Sequence, residues 1–210
     1  VFINCTGVRT VSDAEICSYA RLASNMNIYA TSLEAMRQHL CTHPDIADAQ
    51  ITKRLPDALV IRFTEREPVA IMKTPGDGLD IPIDRNGVVL SERKLHYALH
   101  LPKLEGLPAM DCKPGDTISD PRVPAAMRFL DTLLRVQRTT FLTIKSVDFR
   151  MPDRITIRSA AIDEIRLGTG YSLETALRLV KTVESLRDQH INARVIDARF
   201  ADVVVTPFTL

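Results

Sequence analysis

The chain has 210 residues, room for one large domain or two small ones. Its apolar content of 45% supports a packed core, and with no Trp and 5% aromatics that core must rest on Leu, Ile, Val, Ala and Met. A balance of 27 basic against 26 acidic residues, formally +1, does not suit a nucleic-acid binder that relies on a broad basic surface.

Phe2 to Val8 reads as a strand, with Ile3 and Cys5 on one face and Asn4 and Thr6 on the other. Ser12-x-x-Glu15 and Thr31-x-x-Glu34 are spaced as capping boxes, each opening a helix. The first helix turns Ile16, Tyr19 or Ala20, and Ala23 inward. The second turns Leu33, Met36 and Leu40 inward and stops at Pro44. From Ile46 to Ala70 the pattern is a β-hairpin. Ala47, Ala49 and Ile51 alternate with Asp48, Gln50 and Thr52, and Leu59, Ile61 and Phe63 alternate with Val60, Arg62 and Thr64. Leu55-Pro56-Asp57-Ala58 supplies the turn. Pro68 has no N–H for a sheet, so pairing should weaken there and the chain should change direction.

Beyond Pro68 the chain reads as mostly β. Val69 to Met72 is a short strand, Thr74 to Gly78 a turn, and Ile81 to Leu90 two strands around Asn86-Gly87. Leu95 to Gly106 reads as irregular. Asp120-Pro121 starts a helix buried through Val123, Met127, Leu130 and Leu134. Leu142–Phe149, Arg154–Arg158 and Ile162–Leu167 are strands. Ser172 caps a second long helix with Leu173, Leu177 and Val180 on its stripe. Arg194–Phe200 and Asp202–Thr206 close the chain as strands. The domain boundary is expected near Pro68-Val69, giving domains 1–68 and 69–210. The fold class is therefore α+β: a β-α-α-β-β unit, then a β-rich unit with two long helices.

Catalytic and cofactor signals are absent. His39-x-x-x-His43 has metal-ligand spacing but sits where a helix ends, and no Glu follows the first His. Leu167-Gly168-Thr169-Gly170-Tyr171-Ser172 lacks the Lys of a phosphate loop and the third Gly of a dinucleotide fingerprint, so it reads as a turn plus an N-cap. Asp197, between Ile196 and Ala198, reads as a hydrogen-bond acceptor at a sheet end. Cys5, Cys17, Cys41 and Cys112 read as small buried hydrophobes. A Cys5–Cys17 or Cys17–Cys41 disulfide is the alternative. The reading therefore assigns no catalytic residue, no metal and no cofactor. No run reaches the ~20 apolar residues of a bilayer-crossing helix.

Arg54-x-Pro56-Asp57, Glu65-Arg66-x-Pro68-Val69-Ala70, Asp84-x-x-Gly87-Val88-Val89, Leu101-Pro102-x-Leu104-x-Gly106 and Ile196-Asp197-x-Arg199-Phe200 fall in one order across nearly the whole chain. In this set and spacing the sequence resembles the FtsQ/DivIB cell-division family. The resemblance implies a POTRA domain followed by a β domain, in a non-enzymatic scaffold of the bacterial divisome. It implies partners of the FtsB/FtsL type and no small-molecule substrate. It also implies a membrane helix ahead of Val1, with this part on the periplasmic side of the inner membrane at the division septum. It points to Arg199, Phe200, Asp202, Val203, Val204, Val205 and Thr206 as the partner-binding surface. Arg54, Arg62 and Arg66, on or beside the polar face of the hairpin, are candidate docking residues. The sequence departs from the family in having Ala198 where Leu is usual and Phe200 where Tyr is common. Two other readings remain open at this point: a POTRA-bearing protein of outer-membrane assembly or secretion, and a periplasmic hydrolase.

Overall fold

A computed structural model describes residues 2–6, 9–23, 26–73, 80–107, 112–136, 142–168, 172–200 and 202–208. The first strand, β1 (Phe2–Thr6), leads to α1 (Asp13–Tyr19) and α2 (Leu33–Leu40). At α1 the expected capping box closes in both directions. The Glu15 N–H donates to the Ser12 hydroxyl (3.3 Å), and the Ser12 N–H donates to the Glu15 carboxylate (3.0 Å). At α2 the cap is Ser32, one residue later than expected, and its hydroxyl accepts the Ala35 N–H. Thr31 instead donates to the Asn27 carbonyl. Adjacent Thr and Ser are both competent caps, and the local sequence does not separate them.

The hairpin consists of β2 (Ile46–Arg54) and β3 (Ala58–Glu65), antiparallel in register from Arg54 opposite Ala58 to Ile46 opposite Glu65. The Leu55–Pro56 peptide bond in the turn is cis. Parallel β1 completes a three-stranded sheet in the order β1-β3-β2. Leu59, Ile61 and Phe63 enter the core with Ile16, Met36 and Leu40. Ala47 does not. A bulge between Ile46 and Asp48 turns it out and puts Ile46 inside, so inward alternation begins at Ala49.

The chain leaves this sheet after Glu65 and enters a second one at Pro68. Strands β4 (Pro68–Lys73), β5 (Asp80–Asp84), β6 (Lys103–Glu105), β7 (Ile144–Asp148), β8 (Ile155–Ser159), β9 (Glu164–Leu167), β10 (Ala193–Asp197) and β11 (Val204–Pro207) form one mixed sheet. Its order is β11-β10-β9-β8-β7-β6-β4-β5. Helices α4 (Arg122–Val136) and α5 (Leu173–Asp188) pack on it, sharing one core with Val147, Ile157 and Ile196.

Four expectations change here. Val88 and Val89 make only isolated bridges, to Thr117 and Ile83, rather than a strand. Leu95 to Gly106 holds the short helix α3 (Leu95–Ala98) and strand β6, which lies between β4 and β7. The inward face of α5 is Ala176, Leu179 and Val180, while Leu173 and Leu177 are exposed. The last strand begins at Val204 rather than Asp202. The expected turn at 74–78 lies outside the described residues.

The two sheets meet through a set of acids on the first gripped by one short segment of the second. Glu65, at the end of β3, accepts from the Thr10 N–H (2.7 Å), the Val11 N–H (2.8 Å) and the buried Lys94 ammonium. Asp45 accepts from the Ser91 N–H (2.9 Å) and the Ser91 hydroxyl. Glu15 takes both terminal nitrogens of Arg93, at 2.9 and 2.8 Å. Ser91, Arg93 and Lys94 thus each hold an acid from a different part of the first unit. Nearby, the His43 imidazole Nδ1 accepts the Asp45 N–H (3.1 Å), and its ring stands edge-on to Tyr19. His43 is therefore a buried acceptor past the end of α2, and among the described residues no group of three or more His, Cys, Asp or Glu is placed to hold a metal. Cys5, Cys17 and Cys41 are half-buried free thiols, so neither a Cys5–Cys17 nor a Cys17–Cys41 disulfide forms.

Candidate partner-binding site

Among the described residues strand β11 has β10 as its only strand neighbour, which leaves its other edge unpaired there. It runs antiparallel to β10, with Val204 opposite Asp197, Val205 opposite Ile196 and Thr206 opposite Val195. β-branched residues fit this position because the pleat tolerates their stiff χ1. Val204 is 57% exposed, while Val203 and Val205 are half-buried against the sheet core. An unpaired row of N–H and C=O groups with an apolar side chain in water is a template for an added strand.

The segment entering this edge is held by Asp197. Its carboxylate accepts from the Arg199 N–H (3.2 Å), from Nε (2.9 Å) and from Nη2 (2.7 Å). The Arg199 fork holds the Asp197 carboxyl below its ordinary range. Arg199 thus spends its Nε edge on the carboxylate of its own chain, and Nη1 makes no hydrogen bond among the described residues. The guanidinium carbon lies 5.3 Å from the centre of the Phe200 ring, which is 64% exposed. Arg199 and Phe200 follow β10 as a bend rather than extending it. Asp202 is exposed ahead of the strand.

The same device occurs at two other points. Asp148 holds the Arg150 N–H (2.9 Å) and Nε (3.0 Å), and Asp120 holds the Arg122 N–H (2.9 Å) and Nε (3.0 Å). Burial pushes the Asp148 carboxyl up, but the Arg150 hydrogen bonds outweigh it and hold it low. The signal was legible as Asp-x-Arg, three times. Across the open sheet face the register aligns Glu105, Asp148, Thr156, Arg166, Asp197 and Val204. Arg158 reaches Glu105 (3.0 Å) and Arg166 reaches Glu164 (2.7 Å). This face neutralises its own charges and becomes apolar at its last residue, Val204. The Asp148 and Asp197 carboxyls are held low by their arginines, the opposite of what a general acid needs.

Arg54, Arg62 and Arg66 do not form one surface. Arg62 lies mid-sheet between Asn4 and Gln50, exposed on the side away from the helices. Arg54 ends β2 beside Phe2, its guanidinium 5.2 Å from the ring centre. Arg66 is at the opposite end, where Nη1 donates to buried Asp84 (2.7 Å) and the Arg66 N–H donates to the Asp45 carbonyl (2.8 Å). The sequence reading missed Ser91, Arg93 and Lys94 entirely. A buried Lys carries no local signal, because only its distant partner makes burial tolerable.

Residues 3–66 match the family described as POTRA domain, FtsQ-type, and residues 70–199 match cell division protein FtsQ/DivIB, C-terminal. The chain is similar to cell division protein FtsQ of Anaeromyxobacter sp., 25% identical over 190 residues, covering 90% of this chain and 64% of the relative. It is also similar to cell division protein DivIB of Clostridium acetobutylicum, 27% identical over 152 residues, 72% of this chain and 57% of the relative. With cell division protein FtsQ of Myxococcus fulvus it shares 27% identity over 108 residues, 41% of this chain and 38% of the relative. The chain therefore spans less than two thirds of the length of these curated relatives. The first matched region covers the first sheet and the second covers the second sheet up to the end of β10, stopping short of β11, and the chain belongs to the FtsQ/DivIB family of cell-division proteins.

Proposed function

We propose that this chain is a non-enzymatic scaffold of the bacterial divisome, with residues 1–68 and 69–210 as its POTRA and β domains. In this reading β11 receives a strand from a small coiled-coil division protein of the FtsB/FtsL type. The observation that carries it is the free β11 edge, apolar at Val204 and flanked by the Arg199–Phe200 pair. An incoming strand satisfies the unpaired backbone groups, which supplies affinity without demanding sequence identity. Phe200 serves as the apolar anchor. Arg199 keeps the bend in shape through Asp197 and offers Nη1 to a partner acid. Arg62, exposed in the middle of the POTRA sheet, marks a second docking region for a division protein. The place of action is the outer side of the inner membrane at the septum, reached through a membrane helix; no helix of the described residues is itself long and apolar enough to cross one.

A pull-down with the purified extracytoplasmic segment of an FtsB/FtsL-type partner tests this. Arg199→Ala and Val204→Pro each abolish capture while circular dichroism of the chain is unchanged. Undiminished capture by both folded variants overturns the proposal.

A further inference from the structure

The pole of the N-terminal sheet farthest from the junction is apolar and cationic. β2 leaves the junction at Ile46 and reaches this pole at Arg54, β3 departs from it at Ala58, and β1 begins there with Phe2 level with Val60. At ~3.3 Å per strand residue the pole stands about 30 Å from Asp45. Three large apolar side chains project from it: Leu55 is 66% exposed, Tyr29 65% and Phe2 51%. They form one cluster with the turn. The Tyr29 hydroxyl donates to the Pro56 carbonyl (2.9 Å), the Lys53 ammonium donates to the Tyr29 carbonyl (3.2 Å), and Arg54 lies over Phe2. Lys53 and Arg54 bring two positive charges, against the single acid of the turn, Asp57.

The turn closes the end of the β2–β3 hairpin, so the pole itself is a tip, and the outer strands of this sheet, β1 and β2, run away from it. A projecting tip suits a planar surface better than an extended peptide, which needs a groove or a sheet edge. Its chemistry is also that of a water–lipid boundary: aromatic and aliphatic groups at the tip, with cations beside them. We propose that this pole rests on an anionic membrane surface, with Leu55 and Phe2 entering the headgroup boundary and Lys53 and Arg54 facing lipid phosphates. The proposal is independent of what binds β11.

Because the chain has no Trp, a single introduced Trp reports alone. The emission of a Leu55→Trp variant moves to shorter wavelength with phosphatidylglycerol-containing vesicles. It moves much less with pure phosphatidylcholine, and the shift is reversed by high salt. Adding Arg54→Ala weakens partitioning about fivefold, the effect of one cation near such a surface. A Met151→Trp variant, placed at an exposed apolar residue of the other sheet, does not respond. No shift at position 55, equal shifts at both positions, or a shift indifferent to lipid charge overturns the proposal. A shift produced only by a purified division protein does so too, assigning the tip to a protein partner instead.

Discussion

Gly106 has φ +73, and a Cβ there would lie 2.6 Å from the Arg150 backbone nitrogen and 2.9 Å from the Asp148 carboxylate. The glycine that ends Leu101-Pro102-x-Leu104-x-Gly106 is thus required by the Asp148–Arg150 clasp beside it. Gly106→Ala is expected to cost about 2 kcal/mol or more, read as a lower urea midpoint. Asp84-x-x-Gly87 has a similar logic. Asp84 accepts the Asn86 and Val88 N–H groups while Gly87 adopts φ +78. Titration gives a further expectation. Arg93 and the Ser12 cap hold the Glu15 carboxyl down to about 2 from 4.5. Its contribution is complete above about pH 4.5 and is lost as pH falls toward 2. Burial pushes Glu65 up, but the bonds from Lys94, Thr10 and Val11 outweigh it, so Glu65 acts in the same direction. Burial lowers the pKa of His43, so stability also falls as pH drops below about 6.5. Urea midpoints measured from pH 8 to 3 should decline in two stages. His43→Gln should remove the first and Glu15→Gln should reduce the second; a flat profile contradicts this.

At the scale of elements, local patterns were legible where burial is one-sided. Leu59, Ile61 and Phe63 read correctly because every second residue between them is polar or half-exposed. The Ser12 box read correctly because both of its members are local. The inward face of α5 did not, because Leu173-Leu177-Val180 and Ala176-Leu179-Val180 are both apolar at helical spacing, and only tertiary packing chooses. β6 was missed for a different reason. Three residues cannot show alternation, and its partners β4 and β7 are parallel and distant in sequence. The family resemblance puts Arg199 and Phe200 together on the partner-binding surface, but the structure half-wraps Arg199 around Asp197 and leaves Phe200 exposed. That difference gives Phe200 the larger expected role. Phe200→Ala should weaken capture of the division partner at least tenfold by removing an exposed apolar anchor. Titration calorimetry on the folded variant checks it.

For the whole molecule, the junction sets how the POTRA sheet is aimed relative to β11. Breaking the Lys94–Glu65 pair by Lys94→Met leaves a buried carboxylate with only backbone and hydroxyl donors, a loss of about 3–5 kcal/mol. Lys94→Met combined with Glu65→Gln should cost less than the sum of the two single changes, because they share one interaction. Additive costs in urea denaturation would mean that the pair does not couple the two units. The composition carried none of this, since 27 basic and 26 acidic residues say nothing about which of them meet.

Hydrogen exchange of the backbone, residue by residue, with and without the extracytoplasmic segment of an FtsB/FtsL-type partner, decides whether β11 receives the partner's strand. The free β11 edge should exchange fast alone and at least tenfold more slowly in the complex, with protection concentrated at the amides of residues 204–206, since Pro207 has none. Binding that leaves those amides unprotected, or protects only the POTRA sheet, would contradict the assignment of β11 as the partner-binding strand.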